Sequence, residues 1–150
     1  MKFVSTSVVF QEVPDEITLA LEISNCPHNC KDCHSPELRE DIGTELTVEI
    51  LDNLIKKYSD CTCICFMGGD RYHNEIVKFS KYIKDKYPNI KIGFYSGDYY
   101  LDNSLVKVLD YYKIGPYVAS QGPLNNPKTN QIFYKIENGY LKDITKRFQH

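Results

Sequence analysis

The sequence predicts an α/β fold with a mainly parallel sheet and a hairpin at its carboxyl end. Short apolar runs alternate with segments of helical periodicity, which is the pattern of strand–helix–strand units with right-handed crossovers. The chain has 150 residues, of which 42% are hydrophobic and 13% aromatic, so we expect one domain over residues 1–150. A closed eightfold β/α barrel needs about 250 residues and is excluded by length.

Each predicted element has its own local signal. The run that precedes the first cysteines alternates, whereas the second predicted strand is continuously apolar and ends in two glycines, as a buried parallel strand would. Thr47 is an N-cap residue and Pro88 stops the second helix. The predicted strands cover residues 17–23, 61–67, 90–95 and 113–119, the helices cover 47–58, 74–87 and 101–111, and the hairpin covers 131–144.

Composition limits the possible partners and the compartment. The net charge is −2 and the isoelectric point is about 6.1, so we expect no nucleic acid partner. The sequence has no apolar stretch long enough to span a membrane and no signal-peptide pattern, so no membrane association is expected. Six cysteines, several of them clustered as in metal sites, favour a reducing cytoplasm over disulfides.

Cys26, Cys30 and Cys33 lie in the run Ser-Asn-Cys-Pro-His-Asn-Cys-Lys-Asp-Cys-His, the most informative segment of the chain. Three thiolates this close together can surround one compact metal centre. In a cubane iron–sulfur cluster, three cysteines leave one of the four irons without a protein ligand. Such an open position can bind a small molecule, which favours a reactive cluster over a structural one.

Other uses of these cysteines stay open on spacing alone. A zinc site would take His34 or His28 as its fourth ligand, since three cysteines and one histidine form a common zinc set. Zinc sites usually divide their ligands into two pairs well apart in sequence, and no second pair with that spacing follows. Redox-active or structural thiols are the remaining alternative.

Polar and glycine-rich segments follow each predicted strand. The cysteine segment follows the first, Gly68, Gly69 and Asp70 follow the second, and Ser96 follows the third. The carboxyl ends of parallel strands meet at one edge of a sheet, where ligands bind. Two glycines allow a close approach of the backbone, and a carboxylate beside them can accept from an ammonium group. A plain tight turn is the alternative interpretation of these three residues.

A second group of cysteines has a different interpretation. Cys61, Cys63 and Cys65 alternate along the second predicted strand, which places them on one face of it. Free cysteine packs as a small buried hydrophobe, so we expect core packing here rather than a second metal site.

The cysteine spacing resembles that of the radical S-adenosylmethionine (SAM) enzymes. Residues 26–38 resemble the cluster loop of the glycyl-radical-enzyme activases, especially those of the anaerobic (class III) ribonucleoside-triphosphate reductase. Gly68-Gly69-Asp70 is similar to the Gly-Gly-Glu-like motif of the superfamily, with Asp in place of the commoner Glu. Residues 122–131 resemble a segment near the carboxyl end of these activases. Together the matches run from about residue 15 to about residue 134.

The resemblance implies a fold, two cofactors and a partner. The fold would be an incomplete (β/α) barrel of the radical SAM type. Cys26, Cys30 and Cys33 would bind a [4Fe–4S] cluster that reductively cleaves SAM. The resulting 5′-deoxyadenosyl radical would install a glycyl radical on the glycyl radical subunit of the reductase. A low-potential one-electron donor such as flavodoxin would reduce the cluster, and no catalytic residue beyond the cluster ligands is implied.

The resemblance also implies which residues contact SAM and the partner. The expected SAM contacts are the backbone of Asp32, Cys33 and His34, the backbone of Gly68 and Gly69, the carboxylate of Asp70 and the hydroxyl of Ser96. Many radical SAM loops have an aromatic residue where Asp32 stands, so adenine would contact only the backbone there. Asn130 and Gln131 are the expected partner contacts, since amides can pair with the main chain of an inserted peptide.

Two alternatives to the activase remain at this point. A radical SAM enzyme with another protein or a small molecule as its substrate would keep all these site residues. A zinc-binding interaction module without catalysis would keep only the cysteines.

Overall fold

The computed structural model describes residues 1–30, 33 and 35–149. Within these residues the strands form one eight-stranded sheet, in the order β3-β1-β2-β4-β5-β6-β7-β8. The strands are β1 (Lys2–Val9), β2 (Thr18–Ile23), β3 (Thr44–Glu45), β4 (Cys63–Met67), β5 (Lys91–Tyr95), β6 (Tyr111–Ile114), β7 (Ile132–Glu137) and β8 (Tyr140–Asp143). The α-helices are α1 (Val48–Lys57), α2 (His73–Lys86) and α3 (Asn103–Val106), and short 3₁₀ helices cover Pro36–Arg39 and Thr145–Phe148.

The sheet is parallel at its centre and antiparallel on both sides. Strands β2, β4, β5 and β6 pair in parallel, whereas β1 and β3 on one side and β7 and β8 on the other pair antiparallel. The sheet is therefore mixed, and the prediction of a mainly parallel sheet holds only for these four strands. The β1–β2 connection is too short for a helical crossover, so that pair must be antiparallel.

The bounds of five predicted elements agree with the structure to within two residues. These elements are β2, β4, β5, α1 and α2. The hydroxyl oxygen of Thr47 accepts from the backbone N–H of Ile50 at 3.2 Å, which confirms Thr47 as an N-cap. The carboxyl-terminal hairpin is also present, as β7 and β8 joined by a turn at Asn138 and Gly139, both with positive φ.

The predicted third helix over residues 101–111 is wrong beyond its first turns. Asp102 caps α3 by accepting from Ser104 N at 2.8 Å, but the helix ends after four residues. Tyr111 belongs to β6, where Tyr112 is fully buried and its ring lies 5.5 Å from that of Phe94. Burial of two adjacent tyrosines in the sheet outweighs the helical periodicity.

The observed strand in this region begins and ends earlier than the predicted fourth strand over 113–119. Strand β6 begins two residues earlier, at Tyr111, and ends at Ile114. Gly115 follows with φ +98°, and a Cβ there would lie 3.1 Å from Gln131 Cα. The chain therefore turns at Gly115, and the residues up to 119 leave the sheet.

The two faces of the sheet differ in what covers them. Helices α1 and α2 pack on one face over the main hydrophobic core, which includes Leu21, Phe66 and Phe94. The other face carries a smaller core, covered by loop residues and the carboxyl-terminal 3₁₀ helix; its buried members are Val13, Cys63, Cys65, Tyr111, Leu124 and Phe133. No helix in the described part of the chain is long and apolar enough to cross a membrane.

The alternating cysteines divide between these faces. Cys63 and Cys65 are both fully buried in the smaller core, and burial raises the pKa of each thiol, so they stay neutral and pack as expected. Cys61 lies before β4 and packs against the main core instead. The expectation that all three share one face is thus wrong for Cys61, because the strand begins only at Cys63.

Candidate functional site

The three cysteines predicted as cluster ligands line one cavity of about 200 Å³. Cys26 and Cys30 lie on the loop that leaves β2, and Cys33 follows on the same loop. The cavity wall also includes the backbone of Gly68, at the end of the neighbouring β4. The structure therefore brings together the cysteine segment and the first glycine of the second predicted motif.

The segment after the cysteines holds their loop in place. The backbone N–H of Cys26 donates to Leu38 O at 2.8 Å. The guanidinium of Arg39 donates to Cys30 O, also at 2.8 Å. Both partners belong to the 3₁₀ helix Pro36–Arg39. The short helix Pro36–Arg39 therefore braces the cysteine loop at Cys26 and Cys30.

The donor set of this cavity suits a soft metal centre. The three thiols form no disulfide and are half-buried. Burial raises the pKa of the Cys26 thiol, against the effect of a hydrogen bond from the backbone N–H of His28. Three sulfur atoms around one cavity match the ligands of an iron–sulfur cluster. The predicted contacts Asp32 and His34 lie outside the described residues.

The glycines after β4 have different roles. Both have φ values that favour glycine, +90° at Gly68 and +106° at Gly69. Gly68 lines the cysteine cavity; its N–H donates to Tyr95 O at 3.1 Å, which leaves its carbonyl for a ligand. A Cβ on Gly69 would lie 2.9 Å from Ile76 Cδ1, so Gly69 allows α2 to pack against the end of β4.

Asp70 is the centre of a buried hydrogen-bond network. Its side chain is 2% exposed. Its Oδ1 accepts from Ser96 Oγ at 2.6 Å and lies 3.3 Å from His73 Nε2. Its Oδ2 accepts from Gly97 N at 2.8 Å and lies 2.7 Å from His28 Nε2. An ammonium group from SAM would have to replace one of these four partners.

The network shifts the pKa values of its members. Burial would raise the pKa of Asp70, but hydrogen bonds from Ser96, Gly97 and the two histidines outweigh burial and lower it. For His73, burial would lower the pKa, but hydrogen bonds with Asp102 and Asp70 raise it. Ser96 is 1% exposed with its hydroxyl engaged by Asp70, so the structure places it in this network rather than beside the cysteines.

A row of side chains crosses the sheet face that carries the smaller core, near the carboxyl ends of the parallel strands. The register pairs Glu22 with Met67, Met67 with Tyr95, and Tyr95 with Lys113. Paired residues of adjacent strands share a face. Glu22, Met67 and Tyr95 line the cysteine cavity. Tyr95 and Lys113 line a second, larger cavity of about 720 Å³, so Tyr95 separates the two spaces.

Lys113 is a functional candidate that the sequence did not reveal. It is 7% exposed, and its Nζ donates to Ser96 O at 3.0 Å and Gly115 O at 2.7 Å. An ammonium group has three donors, so one remains for a ligand. Burial lowers the pKa of Lys113 from its ordinary value of 10.5 to about 8. Only the register of β6 beside Tyr95 places this lysine in the site, and the sequence prediction misplaced that strand.

The lowered pKa of Lys113 predicts a pH dependence of stability in the cluster-free protein. Between pH 8 and 10.5 the folded state has lost the Lys113 proton while the unfolded state retains it. The contribution of Lys113 to the free energy of unfolding therefore rises with pH across this window. In urea titrations we therefore expect the native chain to become more stable relative to Lys113→Met as the pH rises from 8 to 10.5. A constant difference would contradict the assignment.

One of the two predicted partner residues, Gln131, lies at the larger cavity. Gln131 is 7% exposed and lines this cavity together with Lys113. Asn130 donates from Nδ2 to Pro116 O at 3.0 Å. Its Oδ1 is buried, and no donor among the described residues reaches it. A buried acceptor without a partner is costly, so a donor from a bound molecule would be stabilising here.

These features define a metal-binding protein of the iron–sulfur class. The chain belongs to the family described as the 4Fe-4S single cluster domain, whose model matches residues 17–138. The matched span contains the cysteine loop and strands β2 to β7. Family membership supports the predicted [4Fe–4S] cofactor and favours iron–sulfur over zinc. No curated protein and no solved structure matches the chain.

Proposed function

We propose that this chain is a radical SAM activase for an anaerobic ribonucleoside-triphosphate reductase. It would cleave SAM reductively at a [4Fe–4S] cluster and use the 5′-deoxyadenosyl radical to form a glycyl radical on the reductase. The observation that carries the proposal is the cavity that Cys26, Cys30 and Cys33 share with the backbone of Gly68. Three ligands to a four-iron cluster leave one iron for the amino and carboxylate groups of SAM.

The residues of the chain would bind and orient the reactants. The bound cluster, reduced by a donor such as flavodoxin, supplies one electron to the sulfonium of SAM. Gly68 would offer its carbonyl to SAM in the cysteine cavity, and Lys113 would offer a buried cation to the part of SAM that extends past Tyr95 into the larger cavity. Holding SAM beside the cluster makes cleavage effectively unimolecular. Bound in this way, SAM would yield methionine and a deoxyadenosyl radical, which would take a hydrogen atom from the glycine to give 5′-deoxyadenosine.

The larger cavity supports a macromolecular substrate. It opens on the sheet face that carries the smaller core, beside the carboxyl-terminal 3₁₀ helix, and it adjoins the cysteine cavity at Tyr95. A glycine segment that enters there would reach the space next to SAM. Its volume of about 720 Å³ is also typical of small-molecule sites. A radical SAM enzyme with a small-molecule or another protein substrate is therefore the second candidate.

Anaerobic reconstitution tests the proposed function. The loaded protein, SAM and a strong reductant should yield 5′-deoxyadenosine and methionine in equal amounts. Addition of the anaerobic reductase should produce a glycyl-radical doublet in electron paramagnetic resonance (EPR) spectra. Cleavage of SAM without the doublet would favour the second candidate. A colourless protein that contains zinc and cleaves no SAM would favour a zinc-binding interaction module and contradict both.

The Asn130 and Gln131 pair gives a prediction specific to the partner. In the double variant Asn130→Ala/Gln131→Ala, we expect glycyl-radical formation to fall about thirtyfold, since two lost hydrogen bonds of about 1 kcal/mol each amount to about 2 kcal/mol. Uncoupled cleavage of SAM should continue at the native rate, because the cysteine cavity is untouched. Lys128→Ala, an exposed change in the same segment, is the control. Native rates in both assays would place the docking surface elsewhere.

A further inference from the structure

The side chain of His28, a residue of the cysteine loop, lies in a socket formed by Asp70 and by the residues just after β5. Its Nε2 lies 2.7 Å from Asp70 Oδ2 and 3.3 Å from Asp98 Oδ1. The ring also lies against the backbone of Gly97, where an added Cβ would come within 2.8 Å of His28 Cδ2. A residue larger than glycine at position 97 would therefore displace the histidine ring.

The far side of this socket is rigid. Ser96 Oγ and Gly97 N both donate to the Asp70 carboxylate, and His73 lies on its remaining side. Buried polar networks with all members paired hold one geometry. The position of Asp70 is thus fixed mainly by the loop after β5, whose contacts of 2.6 and 2.8 Å are shorter than the 3.3 Å to His73. His28 attaches the cysteine loop to that fixed point.

The backbone of His28 connects this socket to a cluster ligand. His28 lines the cavity beside Cys26, and a hydrogen bond from its backbone N–H to the Cys26 sulfur acts to lower the pKa of that thiol. Hydrogen bonds to the sulfur ligands of an iron–sulfur cluster are among the factors that set its reduction potential. A donor to the sulfur stabilises the more electron-rich, reduced cluster and so raises the potential. The strength of this bond depends on where the His28 residue is held.

We propose that Asp70 and Gly97 form a socket for His28 that maintains the N–H···S bond to Cys26, and that this socket sets the reduction potential and the retention of the cluster. Asp70 is then a positioning residue that acts through His28. The proposal requires a cluster on Cys26 but neither SAM cleavage nor a partner.

The test compares Gly97→Ala and Asp70→Asn with the native protein, each loaded anaerobically with its cluster and kept free of SAM. Gly97 has no positive φ, so alanine fits the backbone and displaces only the His28 ring. An EPR-monitored redox titration gives the midpoint potential, and a chelator gives the rate of iron loss. Gly97→Ala should have a more negative potential and should lose iron about tenfold faster, as is typical when contacts around the ligands are removed. Asp70→Asn also removes a negative charge that acts on Cys26, so it is compared by its rate of iron loss, which should rise by a similar factor.

His73→Gln is the matched control. His73 contacts the same carboxylate, but it lies on α2 and donates to no residue of the cysteine loop that the structure describes. We expect the native potential and the native rate of iron loss in this variant. If loaded Gly97→Ala has the native potential, the proposal is overturned. Faster iron loss would not rescue it, because a looser structure alone can speed iron loss without moving the potential. An equal shift in His73→Gln would also overturn it. If Asp70→Asn does not fold, Gly97→Ala decides the question.

Discussion

Cys30→Ala is expected to abolish both cluster binding and SAM cleavage. A four-iron cluster with a single open iron needs three thiolate ligands. Removing one of them leaves the centre with only two protein ligands. Cys30 lines the cavity with Cys26 and Cys33, and its carbonyl is braced by Arg39. Iron and sulfide analysis of anaerobically loaded protein, with the visible spectrum, measures the first loss. Product formation from SAM measures the second.

Cys63→Ala is the matched control for this experiment. Its thiol is fully buried in the smaller core, so the variant should keep its iron and its activity. It should lose about 1 kcal/mol of unfolding free energy, because a buried atom is replaced by a small cavity. Full iron content and turnover in Cys30→Ala would disprove the ligand assignment. Loss of iron in Cys63→Ala would instead show that the buried cysteines contribute to the centre.

Lys113→Met is expected to weaken SAM binding by tenfold or more. A hydrogen bond to a charged group is worth about 1.5–3 kcal/mol, and about 1.4 kcal/mol corresponds to a factor of ten in affinity. Methionine keeps most of the length of the side chain and removes its charge. Equilibrium binding of SAM to the loaded protein, without added reductant, measures the effect separately from cleavage.

The control for Lys113 is a lysine at the other end of the neighbouring strand. Lys91 is exposed at the start of β5, so Lys91→Met should bind SAM as the native protein does. Urea unfolding of Lys113→Met should be cooperative, which verifies that the variant is folded. Native affinity for SAM in folded Lys113→Met would mean that the cation serves another ligand or only the backbone carbonyls of Ser96 and Gly115.

The features that the sequence predicted well are those encoded by neighbouring residues. The three cysteines need only one loop to meet, and Gly68 follows a strand whose apolar run is continuous. Adjacency of parallel strands then brings the two segments to one cavity. The N-cap at Thr47 and the turn at Asn138-Gly139 are similarly local.

The features that were missed depend on register and distance along the chain. His28 and Asp70 are 42 positions apart, and their contact exists only because the loops after β2 and β4 are neighbours. Lys113 lies in the site through its pairing with Tyr95, and this pairing depends on β6 beginning at Tyr111, where the sequence predicts the end of a helix. The antiparallel strand β1 was missed because serine and threonine interrupt its apolar residues.

The two groups of cysteines differ in how they would respond to oxygen. Sulfur is oxidised mainly as an accessible thiolate, so a neutral buried thiol such as Cys63 or Cys65 is protected. Cys26, Cys30 and Cys33 are partly accessible on a surface loop. Air would therefore damage the loop and leave the packed sheet intact. Mild reduction followed by fresh iron and sulfide should then regenerate the centre without refolding the chain.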